Sequence, residues 1–173
     1  MGMPLFYLIF TTGVLMEKEI QIQFRLTDLR QLQFATLTNK WPEGEMQISN
    51  QINFSSETEQ RTVRCVAHFE YKKNDITQLL ISVQSTFEFS KESWSAMYNL
   101  QGDEWVLPVG LVQHLADTTI GATRGILAVR SEEAGFPRVM LPMMAAAQFI
   151  RNNLSLKRVK PSGIPIPASA GKA

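Results

Sequence analysis

From Ile20 to Phe89 the chain alternates apolar and polar residues with a period of two, and this constrains its fold most. Ile20, Ile22, Phe24 and Leu26 alternate with Gln21, Gln23 and Arg25, which puts apolar groups on one pleat face and polar groups on the other. The pattern returns at Met46, Ile48, Ile52 and Phe54, where Asn50 interrupts it. Val63, Cys65, Ala67, Phe69 and Tyr71 form a third run, and Leu79, Ile81, Val83, Phe87 and Phe89 a fourth. Pro42-Glu43-Gly44, Ser55-Ser56-Glu57 and Lys72-Lys73-Asn74-Asp75 supply turn chemistry between them. The expectation is a four-stranded antiparallel meander with one solvated face.

After Trp105 the period lengthens. Leu111, Val112, Leu115, Ala116, Thr119, Ala122, Thr123 and Ile126 recur at three- and four-residue steps and make one helical stripe. Pro108 suits the first turn, where its missing N–H is no loss. Gly110, Gly121 and Gly125 keep the helix thin, as close approach to a sheet or a second subunit requires. Ser131 to Gly135 breaks the chain, and a shorter helix is expected from Pro142 to Asn152. Strands followed by helices imply an α+β fold with the helices on one face of the sheet.

A length of 173 residues fits one core. Lys plus Arg number 17 and Asp plus Glu 16, a net charge of +1, which disfavours nucleic acid and anionic membrane surfaces as partners. One cysteine excludes an intrachain disulfide and a Cys-rich metal site, and permits a reducing, cytoplasmic setting. Residues 1–16 form an apolar extension with no preceding cation. It is expected to be an added strand or an artificial leader rather than an export signal or stable membrane anchor. Residues 17–153 are the expected domain, and residues 154–173, with uncompensated cations and three prolines, an expected disordered tail.

Catalytic chemistry finds little support. Cys65 lies on an apolar strand face, and His68 falls on the opposite face. His114 and Asp117 could pair along the helix, as an acid–base couple or as a local contact. Nucleophile-elbow, HExxH and GxGxxG patterns are missing, so no catalytic residue, metal ligand or cofactor is assigned. Hydrophobic recognition has better candidates. Phe34 and Trp41 sit in or near the first long connection, Trp94, Tyr98 and Trp105 precede the helix, and Met140, Met143 and Met144 follow it. Aromatic rings and flexible thioethers suit an apolar peptide of no fixed sequence, or else fill the core and a subunit interface.

Three segments between Glu19 and Asn153 carry a family resemblance: Lys40-Trp41-Pro42-Glu43-Gly44-Glu45-Met46, Arg124-Gly125, and Phe136-Pro137-Arg138-Val139-Met140-Leu141-Pro142 followed by Phe149. They resemble the crossover before the second strand, the end of the long helix, and the segment opening the last helix of SecB-type protein-export chaperones. The resemblance implies an ATP-independent holdase, built as a dimer of dimers, that keeps non-native polypeptides in apolar grooves. Trp41 and Pro42 would belong to the crossover loop, and Phe136, Pro137, Leu141 and Pro142 to the link before the last helix. Phe34, Trp94, Met143 and Met144 complete the candidate peptide-binding set on chemical grounds.

Ile126 to Gly135 is an insertion relative to that pattern, and Met143-Met144-Ala145 replaces an expected Asn-Phe. A net charge of +1 departs from the acidic face that docks on an export motor. Clients could therefore be precursor proteins or the antitoxin of a toxin–antitoxin pair. Two other classes remain open: a small apolar-ligand binder or enzyme using His114 and Asp117, and a structural subunit whose grooves close only its own oligomer.

Overall fold

The computed structural model describes residues 6–10 and 20–157, with side chains from residue 21 onward. Strand β1 (Phe6–Phe10) pairs antiparallel with the start of β2 (Ile20–Thr36). Next come β3 (Gln47–Glu57), β4 (Thr62–Lys73) and β5 (Ile76–Phe89), all antiparallel to their neighbours. The β4–β5 hairpin turns through Asn74 and Asp75, both at positive φ, the backbone that a two-residue hairpin demands. The rest of residues 1–16, outside β1, lies beyond the described residues.

The sheet order is β1-β2-β5-β4-β3, so only β3, β4 and β5 form a meander. Strand β2 pairs with β5 instead of β3, and residues 37–46 cross the end of the sheet to its far edge. That connection is longer than the two to five residues typical of a hairpin loop, so the expected simple meander is corrected at this step. Two register shifts in β2, at Leu26/Asp28 and Gln31/Gln33, restart its alternation and bend it along β5.

A short helix α1 (Lys91–Ala96), capped by the Ser90 side chain, follows the sheet. Strands β6 (Tyr98–Asn99), β7 (Glu104–Leu107) and β8 (Leu154–Lys157) make a second small sheet. The expected tail thus begins with a strand, and residues 158–173 lie outside those described. Helix α2 (Val109–Glu133) packs Leu111, Leu115, Ala116, Ile120 and Leu127 onto the apolar sheet face. Phe69, Phe87, Phe89, Ile81 and Val63 are fully buried beneath it. None of the helices is long and apolar enough to cross a membrane, among the described residues.

Two expectations about helices are corrected. Arg124-Gly125 does not end the long helix: α2 continues to Glu133, so most of the Ile126–Gly135 insertion is helix. Leu127 and Ser131 extend the buried stripe by four-residue steps from Thr123, which outweighs the weak local propensity of Gly125. The helix then stops in a paired motif: Phe136 N–H donates to Ser131 O and Gly135 N–H to Glu132 O, with Gly135 at φ +78°.

The second correction is the shorter helix expected from Pro142 to Asn152, of which only a 3₁₀ turn at Ala146–Gln148 forms. Within this segment Pro142 O, Ala146 N–H and Ile150 O bond α2 side chains instead of an α-helical ladder, and the 3₁₀ turn supplies the remaining local bonds.

Candidate functional site

The helix-ending motif delivers Phe136 to the crossover loop. Trp41 and Phe136, 95 positions apart, approach with ring centroids 5.8 Å apart, and Trp41 also meets Tyr71 at 6.1 Å. Between loop and link lies an open cleft of about 560 Å³, walled by Asn39 to Gly44 on one side and Gly135 to Pro137 on the other. Gly44, at φ +89°, turns the loop, and Lys73 Nζ donates to the Glu43 carbonyl and ties it to the β4–β5 hairpin. Trp41, Pro42 and Phe136 are each half-buried, leaving part of each ring to solvent.

Phe34 and Met144 pack against the same half of the core, and the Arg130 guanidinium lies 5.7 Å from the Phe34 ring centre. Leu141 is buried, while Met143 is 88% exposed and Met140 50% exposed. Trp94 is not part of this group. It is buried at the other end of the core, stacked on Trp105 at 5.2 Å and packed against Phe89. Aromatic character could not separate this core residue from a groove residue, because both environments favour a large flat ring.

A second groove of about 340 Å³ runs beside β3, the edge strand, between Ile52, Phe54 and Val112 on one side and Phe149 to Leu154 on the other. Its outer wall is part of a feature that spacing alone did not reveal. Residues 139–153 lie along α2 as a strap held by side chains of the helix. Ser131 Oγ accepts from Val139 N–H at 2.9 Å, and Arg124 donates to the carbonyls of Leu141 and Pro142 at 3.1 and 3.0 Å. Asp117 Oδ1 accepts from Ala146 N–H at 2.7 Å, and Gln113 Nε2 donates to Ile150 O at 2.8 Å. Asn153 Oδ1 accepts from Val109 N–H at the helix start, and Tyr71 Oη donates to Met140 O across the groove. The sequence signal was the recurrence of polar residues at 117, 124 and 131, seven apart and so on one helix face.

These bonds also separate the suspected His114–Asp117 couple. Asp117 is engaged with the strap, whereas His114 sits edge-on to Phe24 at 5.7 Å. Burial pushes the Cys65 thiol up to about 11, far from the thiolate a nucleophile needs, despite a bond from Thr119 that acts the other way. His68, on the far face, bonds Ser82 Oγ at 2.6 Å and Glu70 at 3.2 Å. Hydrogen bonds from Lys72 first and His68 second hold the Glu70 carboxyl below its ordinary range. Tyr71 is raised by burial, with the Arg124 charge opposing.

No family model matches the chain, and no curated protein matches it. Among solved structures, the chain is similar to the Mycobacterium tuberculosis SecB-like chaperone Rv1957, determined in complex with a ChAD peptide from the Rv1956 HigA1 antitoxin. The identity is 12% and the TM-score 0.40, over 70% of this chain and 88% of that one.

Proposed function

We propose that this protein is an ATP-independent holdase that keeps unfolded or aggregation-prone polypeptides in the cleft between its crossover loop and the link after α2. The observation that carries the reading is the meeting of Trp41 with Phe136, two members of separate resemblance segments, across an open, half-apolar cleft. Exposed Met140 and Met143 on the adjoining strap add adaptable apolar surface of the kind that tolerates many sequences. The working unit is a cytoplasmic homo-oligomer of paired dimers, acting without catalytic residue, metal or cofactor. A dedicated antitoxin client is the second reading, favoured over export by the net charge of +1, a balance without the acidic excess of the motor-docking pattern.

The test is suppression of aggregation of a chemically unfolded protein without nucleotide, with oligomer mass followed by light scattering. The expected result is suppression near one oligomer per client, weakened at least about tenfold in Trp41→Ala with the oligomer intact. An oligomer that dissociates in Trp41→Ala while client binding persists would assign the aromatics to assembly instead.

A further inference from the structure

We propose that the face of α2 bearing Ser131, Arg124, Asp117 and Gln113 is a receptor for the backbone of an extended, non-native polypeptide. The strap 139–153 fills it in cis and gives way when such a chain binds. This inference rests on the holdase reading and names what the site recognises: main-chain amides and carbonyls, with no fixed sequence.

The strap itself is the argument. A segment with almost no regular structure lies on the helix, and the side chains of Ser131, Arg124, Asp117 and Gln113 all hydrogen-bond its main chain, beside apolar packing by Val139, Leu141 and Ala146. Two of these groups accept from N–H and two donate to C=O, so both kinds of main-chain group are served. At 100° per residue, positions 113, 117, 124 and 131 fall within about 40° of arc along about 27 Å of helix. Main-chain groups are the same in every polypeptide, so a receptor of this kind suits any extended chain.

The strap is also built to leave. Only Val139, Leu141 and Ala146 of it are buried, while Met140, Met143 and Phe149 face solvent. Apart from the buried Ser131 bond, its tethers to α2 are part-buried or exposed, a class of structure that opens locally before the core does. Its departure would uncover the partly buried neighbours of the cleft and of the β3 groove together, joining the two grooves into one track.

The deciding experiment locks the strap. Asp117→Cys combined with Ala146→Cys places a thiol on each side of a contact now 2.7 Å long, and buried Cys65 stays out of the exchange. Reduced and alkylated lysozyme serves as a permanently unfolded probe. Because Asp117 is itself one of the receptor groups, the reduced double variant is the reference. Capture is expected to be weakened about tenfold in the reduced form relative to wild type and lost on oxidation, and equal capture by the oxidised and reduced forms overturns the proposal. Arg124→Met should loosen the strap and also weaken capture about tenfold, the scale of one charged hydrogen bond. Stronger capture by Arg124→Met would make the strap a mere cover and overturn the receptor. If neither wild type nor reduced variant captures the probe, the holdase reading fails, and hydrogen exchange of the free protein judges the strap alone. Val139 and Ala146 amides exchanging at least about tenfold faster than buried α2 amides support an opening strap, and equal rates overturn it.

Discussion

Ser131 shows how one side chain serves two segments. Fully buried, it donates to Ala128 O and accepts from Val139 N–H, so it both bonds back into its own helix and anchors the strap. Ser131→Ala would leave the buried Val139 N–H without its partner, at a cost of about 1–3 kcal/mol. The expected outcome is a lower urea midpoint with an unchanged slope, read by chemical denaturation. At the same scale, the reach of sequence reasoning was uneven. Trp41 stood out as an aromatic in the first long connection, Pro42 and Phe136 entered through the family resemblance, and all three line one cleft. Trp94 was grouped with them, yet it lies in the core, since its ring carries no sign of which neighbours will surround it.

Among elements, α2 does most to position the candidate site. Its length decides where Phe136 emerges, and its buried stripe runs on through Leu127 and Ser131. Gly121 and Gly125 are exposed, with nothing within 4 Å of a built Cβ, so the close approach to the sheet does not require them. Gly121→Ala and Gly125→Ala should each stabilise the dilute protomer by about 0.5–1 kcal/mol through lower backbone entropy in the unfolded chain, measured as a higher thermal midpoint. The strap is the opposite case. Met143 to Ala147 has good local helix propensity, and tertiary hydrogen bonds override it, from Arg124 to the preceding carbonyls and from Ala146 N–H to Asp117.

For the whole molecule, the buried sheet–helix core makes alkaline pH the revealing variable. Burial raises Cys65 from 9.0 to about 11 and raises Tyr71 as well, so the folded state keeps protons that the unfolded state loses. Their contribution to stability is therefore fully present below about pH 9 and is lost as pH climbs through and beyond that range. For Cys65 the loss reaches roughly 2 kcal/mol by pH 11. Urea midpoints should hold steady to about pH 8 and then fall, and Cys65→Ala should flatten the fall.

The sequence by itself determined what is local. Alternation placed the apolar faces of β2 to β5, and three- and four-residue steps placed the buried stripe of α2. Only the tertiary structure decided which strand pairs with β2, how far α2 continues, and that residues 139–153 lie extended on it. Periodicity records which face of an element is apolar, because that follows from the element's own geometry. It does not record which distant face will cover it or which side chains will satisfy its backbone, and those choices depend on groups brought together only by folding.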